Sequence, residues 1–67
     1  MLAYQARVVD EKAGLDKNIA ALAAFMAKPG FYEVDPAERQ RLMKQHELMT
    51  DYSLVLGERI AAFAFPA

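Results

Sequence analysis

Apolar residues recur every seven positions in both halves of this chain, on either side of a break at Lys28-Pro29-Gly30. Each half carries one such row: Val8, Leu15 and Leu22 in the first, and Leu42, Met49, Leu56 and Phe63 in the second. This spacing is typical of long α-helices that pack along one stripe. The pattern therefore predicts an all-α fold built from two helices.

The ends of the helices are marked in the sequence. Residues 2–28 contain no proline and much alanine, and the residue before Pro29 is driven out of helical geometry. Gly30 tolerates the left-handed geometry that often ends a helix. Asp35 reads as an N-cap, with Pro36 in the first helical position and Glu38 closing a capping box. We predict one helical hairpin domain over residues 1–67: a helix at about 2–28, a loop at about 29–35 and an antiparallel helix at about 36–64.

The chain is short for a self-sufficient core, because it has 67 residues and no cysteine, while 55% of its residues are hydrophobic. Domains of this size usually need disulfides, metal or partner subunits. The segment 18–27 is apolar almost all round its helix, and the segment 60–67 is apolar at the opposite end of the hairpin. We therefore predict a homodimeric four-helix bundle, or a higher oligomer, in which two hairpins bury each other's apolar ends.

The second row of the seven-residue repeat is polar or amphipathic where a purely structural seam would be aliphatic. Its members are Tyr4, Glu11, Asn18 and Phe25 in the first half, and Gln45, Tyr52 and Arg59 in the second. Antiparallel alignment sets position 4 opposite about 60, 11 opposite about 53 and 18 opposite about 46. It gathers six candidate ligand-binding residues at the open end: Tyr4, Gln5, Arg7, Glu11, Tyr52 and Arg59.

These residue types suit a nucleotide. Guanidinium groups match phosphate or carboxylate, tyrosine rings stack on bases, and Glu11 accepts hydrogen bonds from a ribose or base edge. The alternative needs no ligand: Glu11 and Arg59 pair across the hairpin, with the tyrosine rings packed around them, and fix its register. The residues alone favour this structural interpretation. Asn18, Gln45 and His46 read as a register-setting hydrogen-bond layer nearer the loop.

Several classes of function have little support in the sequence. A net charge of −1 argues against nucleic-acid binding, and no apolar run is long enough to span a bilayer. The N-terminus lacks the pattern of a signal peptide, so we expect a cytoplasmic protein. One histidine and no cysteine give little basis for a metal site, and no catalytic triad or glycine-rich phosphate loop is visible. We expect no enzyme activity, metal or cofactor.

The chain resembles a family of very small phage-encoded helical proteins, found in crAss-like and many other tailed phages. The first half carries this resemblance in Tyr4-Gln5-Ala6-Arg7-Val8, Glu11-Lys12, Leu15, Lys17 and Phe25. The second half carries it in Glu38-Arg39, Leu42, Gln45, Met49, Tyr52-Ser53, Leu56 and Arg59-Ile60. The resemblance extends over nearly the whole chain.

Phages encode small oligomeric helical proteins that sequester cyclic or ADP-ribose-type nucleotide signals and so blunt bacterial immunity. The resemblance implies a similar sponge, acting without turnover in the cytoplasm of the infected bacterium. Arg7 and Arg59 would then hold phosphates, Tyr4 and Tyr52 would stack, and Gln5 and Glu11 would read polar edges. The alternative is a small interaction module that binds a host or phage protein through its apolar helical surface.

Overall fold

A computed structural model describes residues 1–63 as two antiparallel helices joined by a short turn. Helix α1 spans Ala3–Met26, a 3₁₀ turn spans Pro29–Glu33, and helix α2 spans Pro36–Phe63. The hairpin measures 50 × 15 × 15 Å. The prediction of an all-α chain with two helices is confirmed. Helix α1 is slightly shorter than predicted, while the predicted last residue of α2 and the second half of the apolar segment 60–67 lie outside the described residues.

Pro29 ends the first helix, and the backbone of Gly30 does not take a left-handed conformation there. Lys28 takes an extended backbone with φ −82° and ψ 148°, as expected before a proline. Gly30 does not have a positive φ, so the left-handed geometry predicted there is wrong. The helix stops because Pro29 forces its neighbour out of helical geometry.

Asp35 caps the second helix as predicted. Its Oδ2 accepts hydrogen bonds from the backbone N–H groups of Ala37 at 3.1 Å and Glu38 at 3.3 Å. The Glu38 carboxylate accepts from Arg41 Nε at 2.6 Å, one turn further into the helix. The predicted capping box is therefore only half formed, because Glu38 pairs with a nearby guanidinium instead of the backbone of Asp35.

An aromatic cluster closes the loop end of the hairpin. Phe31 is buried in the turn and meets Phe25 and Tyr32 edge to face, each with ring centroids 6.0 Å apart. The Arg39 guanidinium lies 5.8 Å from the centre of the Tyr32 ring, a cation–π distance. Phe31 thus fastens the turn to α1, and Tyr32 connects the turn to α2 through Arg39.

The seam between the helices confirms one predicted row and corrects the other. Val8 and Leu56 are buried, and the remaining members of the aliphatic rows are partly buried. The second inward row lies one position later than predicted. It consists of Gln5, Lys12, Ile19 and Met26 in α1, and of His46, Ser53 and Ile60 in α2. The prediction that Tyr4, Glu11, Asn18, Phe25, Gln45, Tyr52 and Arg59 form the second seam row is wrong.

The shift has a physical reason. Both choices of row keep the alternating steps of three and four residues, so periodicity alone does not separate them. Turning each helix by one residue exchanges Asn18 for Ile19 and Arg59 for Ile60 at the seam, so two aliphatic side chains replace an amide and a guanidinium there. The Asn18 amide and the Arg59 guanidinium thereby stay in water, and the free-energy cost of burying them is avoided.

The hairpin has two distinct sides, one on either side of the seam. In an antiparallel pair, residues just before the inward row of each helix share one side, which we call the tyrosine flank: Tyr4, Glu11, Asn18, Phe25, Gln45, Tyr52 and Arg59. The opposite side, which we call the lysine flank, is formed around Lys12, Asp16, Ser53 and Gly57. All members of the tyrosine flank are exposed in this chain.

One hairpin leaves much apolar surface uncovered. Within residues 1–63 the buried side chains are Val8, Phe31, Ser53 and Leu56. The segment 18–27 was predicted to be buried on all sides, yet its alanines face outward here and only its seam residues are partly covered. Assembly into an oligomeric bundle stays a prediction.

Candidate functional site

A polar cluster on the lysine flank joins the two helices. Lys12 Nζ lies 2.7 Å from Asp16 Oδ2 within α1 and donates across the hairpin to Ser53 Oγ at 3.0 Å. The Ser53 hydroxyl in turn donates to Asp16 Oδ1. Three side chains thus satisfy one another, and Ser53 is buried at the centre. The cluster fixes the register of α1 against α2, with position 12 beside 53.

Gly57 makes room for the stem of the lysine. A Cβ atom at Gly57 would lie 3.3 Å from Lys12 Cε, closer than most side-chain contacts. The absence of that atom lets the aliphatic stem of Lys12 cross the seam while its ammonium group reaches the polar cluster. This close contact gives a packing reason for a glycine inside a helix, where it costs about 1 kcal/mol relative to alanine.

The pKa of Asp16 is lowered from its ordinary value of 3.8 by the hydrogen bond from Lys12 first and by the hydrogen bond from Ser53 second. A carboxylate whose folded pKa is depressed contributes stability above its unfolded pKa and loses it as the pH falls through the folded value. The cluster thus stabilises the hairpin at neutral pH, and this contribution is lost in acid.

Asp16→Asn is expected to flatten the acid limb of the stability profile. In the parent chain, the free energy of unfolding should fall as the pH drops below about 4, because Asp16 gains a proton and loses its two donors. Urea unfolding between pH 2.5 and 7 measures this slope. Asp10→Asn, at an exposed position of the same helix, is the control that should keep the parent slope.

The groove beside this cluster is mostly apolar. It has a volume of about 580 Å³, and its apolar lining includes Ile19, Leu54 and Ala61. The ammonium of Lys12 is already neutralised by Asp16, so an incoming anion would have to compete with that carboxylate. The lysine flank is therefore suited to apolar contact more than to phosphate.

The tyrosine flank carries four of the six candidate ligand-binding residues: Tyr4, Glu11, Tyr52 and Arg59. Near its open end the Tyr4 ring meets Phe63 edge to face at 5.7 Å. Arg59 lies one helical turn before Phe63, so Tyr4 and Arg59 occupy the same end of this flank. Arg7 lies one turn after Tyr4 on α1 and is exposed.

Gln5 has a structural task. Its Oε1 accepts a hydrogen bond from the backbone N–H of Leu2 at 2.9 Å, which caps the start of α1. Its side chain is partly buried and belongs to the inward row, one residue away from the tyrosine flank. Gln5 is thus the candidate that the structure sets apart from the others.

The arginines of the candidate set have no carboxylate partner within residues 1–63. The ion pairs in this part of the chain are Lys12–Asp16, Glu38–Arg41 and Lys44–Glu47. The alternative pairing of Glu11 with Arg59 is absent there. Tyr52 lies two turns before Arg59 in α2 and is 46% exposed. It borders a groove of about 400 Å³ that includes Leu48, Gln45 and Lys44.

The proposed register layer does not form as a hydrogen-bonded set. Asn18 and Gln45 are exposed, and Gln45 Nε2 donates to Met49 Sδ at 3.7 Å within its own helix. His46 lies in the inward row, and its backbone carbonyl accepts from Thr50 Oγ1 at 2.9 Å. Register is set instead by the cluster around Lys12, Asp16 and Ser53.

Sequence reasoning missed that cluster because Lys12 and Ser53 were not assigned to the seam. The signal was present: Ser53, Gly57 and Ala61 recur at four-residue steps, and Lys12 and Asp16 are spaced for an ion pair on one helix face.

Residues 1–63 contain no group of three histidine, aspartate or glutamate side chains placed to hold a metal. No described helix is long and apolar enough to cross a membrane.

Comparison with known proteins places this hairpin among small phage proteins. The family model described as Sequestin matches residues 2–62. An uncharacterized 7.5 kDa protein encoded in the denB–rIIB intergenic region of Enterobacteria phage T4 is 41% identical over 63 residues, which cover 94% of this chain and 98% of that protein. No solved structure matches. The matches support a small phage protein family but do not single out crAss-like phages.

Proposed function

The chain belongs to the Sequestin family, and from that premise we propose that it binds and sequesters a nucleotide immune signal in the infected bacterium. The ligand class is a cyclic nucleotide or an ADP-ribose derivative, held without turnover to counter host defence. The family name, which suggests a sequestering role, and the phage origin of the T4 relative support this proposal. The bacterial cytoplasm, where such signals act, is the proposed location.

The observation that carries the proposal is the composition of the tyrosine flank. Arg59 on this flank and Arg7 beside it have no carboxylate partner within residues 1–63, while Tyr4 and Tyr52 expose about half of their surface. Unpaired guanidinium groups suit phosphate oxygens, and exposed tyrosine faces suit a base. The lysine flank offers no comparable anion site, because Lys12 is engaged by Asp16.

Each candidate residue has a distinct part in this proposal. Arg7 and Arg59 hold phosphate groups, Tyr4 and Tyr52 stack against bases, and Glu11 accepts hydrogen bonds from a ribose or base edge. Gln5 retains its amide nitrogen for a polar contact while its Oε1 caps α1.

Calorimetric titration with a panel of cyclic nucleotides and ADP-ribose derivatives tests the proposal. We expect one ligand class to bind, and Arg59→Gln to weaken its affinity about 10-fold to 100-fold, because hydrogen bonds to charged groups contribute about 1.5–3 kcal/mol. Lys17→Gln removes the same charge from the exposed outer face of α1 and should leave the affinity unchanged. Absence of heat with every ligand, or equal losses in both variants, would contradict the proposal.

A protein-interaction module is the second candidate function. Its support is the exposed apolar surface of α2, where Leu48, Leu54 and Val55 each expose half or more of their area. A pulldown that returns one stoichiometric host or phage protein, and that Arg59→Gln leaves intact, would favour this function over nucleotide sequestration.

A further inference from the structure

Three parts of the chain surround a pocket at the closed end of the hairpin, which we call the loop-end pocket. Its volume is about 450 Å³, within the range of about 300–1,000 Å³ that holds small molecules in proteins. The lining includes Met26 at the end of α1, Phe31 and Tyr32 in the turn, and Arg39, Gln40 and Met43 in α2. Most of this lining is apolar, which favours a ligand with an apolar body.

Arg39 is the charged group of the loop-end pocket. It is partly buried, and its guanidinium lies 5.8 Å from the centre of the Tyr32 ring, which keeps it beside the apolar walls. Within residues 1–63 no carboxylate forms an ion pair with it. The planar fork of donors on a guanidinium matches the two oxygens of a carboxylate. The pocket therefore favours a ligand whose head group is an anion.

The acids that are nearest to Arg39 in the sequence are engaged elsewhere or point away from the pocket. Asp35 caps the start of α2, and Glu38 pairs with Arg41. Glu33, at the end of the turn, is exposed and does not line the pocket. The described hairpin thus leaves the charge of Arg39 available to an external anion.

We propose that the loop-end pocket binds a free hydrophobic monocarboxylate of the fatty-acid type. The carboxylate would accept hydrogen bonds from Arg39, and the alkyl chain would lie against Met26, Phe31 and Met43. Methionine side chains are flexible and adapt to irregular shapes, so they suit an alkyl chain. The pocket lies at the opposite end of the hairpin from Tyr4, and the inference does not rest on the proposed nucleotide function.

Titration of decanoate into the ¹⁵N-labelled protein tests the proposal. Amide shifts are followed by NMR, with the acid kept well below the concentration at which it forms micelles. We expect saturable shifts at the turn and at the adjoining ends of the two helices. Arg39→Gln should weaken the affinity about 10-fold, because it removes a charge-assisted hydrogen bond. Arg41→Gln makes the same change at an exposed side chain outside the pocket and should leave the affinity unchanged.

A comparison of ligands tests the same contacts in the parent chain, without any substitution. Octanoate should bind about 15-fold more weakly than decanoate, because each of the two missing methylene groups contributes about 4-fold in affinity when it is buried. 1-Octanol has the same chain length as octanoate and no charge, so it should bind about 10-fold more weakly than octanoate.

Several results would overturn the proposal. These are an absence of saturable shifts at the loop end, equal binding of octanoate and 1-octanol, or equal losses in Arg39→Gln and Arg41→Gln. Tighter binding of a peptide that ends in a free leucine carboxylate would identify a protein C-terminus, instead of a free acid, as the ligand. Movement of the same amides when the protein concentration alone is raised would mean that a second copy covers the pocket.

Discussion

Leu56→Ala is expected to destabilise the hairpin more than any other single truncation in α2. Leu56 is 1% exposed, the lowest exposure in the described chain. Truncating a fully buried leucine costs about 2–5 kcal/mol through lost burial and the cavity left behind. Small domains have total stabilities near the low end of about 5–15 kcal/mol, so this loss would unfold much of the population. Thermal unfolding followed by circular dichroism measures it, with a fall in Tm of about 4–8 °C per kcal/mol.

Leu54→Ala is the matched control for that prediction. The same chemical change is made two residues away, at a side chain that is 64% exposed. Surface truncations usually change stability by less than about 0.5 kcal/mol. Equal effects of the two substitutions would mean that α2 does not present the face around Leu56 to α1, and the seam described above would be wrong.

Phe31→Ala is expected to open the loop end of the hairpin. The ring is buried in the turn and contacts both Phe25 and Tyr32 edge to face. Removing a buried phenylalanine costs about 3–5 kcal/mol, and part of that is the loss of aromatic pairing, which is about 0.5–1.5 kcal/mol per pair. Urea unfolding should show a large drop in midpoint. Tyr32→Ala, at a ring that is 74% exposed, should cost less, about 1–2 kcal/mol through one aromatic pair and the contact with Arg39. Equal losses would argue against Phe31 as the anchor of the turn.

The helices and their ends were predictable because their signals are local. Pro29 stops α1 through a steric clash with the residue before it, and Asp35 caps α2 through its own side chain. Neither effect depends on contacts between α1 and α2. The aliphatic rows that contain Val8 and Leu56 were likewise predictable, since aliphatic residues at seven-residue spacing are most stable when they are buried in the seam between two helices.

The second row was not predictable from spacing alone. A one-residue shift preserves the periodicity, and the outcome depends on interactions across the hairpin. Lys12 enters the seam only because Gly57 lacks a Cβ and Ser53 offers a hydroxyl, and both partners lie about forty residues away in the sequence. The candidate residues Tyr4, Glu11, Tyr52 and Arg59 still share one side, because the shift moved them together from the seam to its edge. Their predicted role in binding remains to be measured.

Recovery of an intact small molecule is the most direct test of sequestration. The protein is equilibrated with the nucleotide panel, filtered to remove free ligand and heat-denatured, and the released molecules are identified by mass spectrometry. We expect one cyclic nucleotide or ADP-ribose derivative to be retained in stoichiometric amount and released chemically unchanged, with retention reduced by Arg59→Gln. Retention of no ligand, or release of an altered one, would contradict a protein that binds and holds a nucleotide signal without turnover.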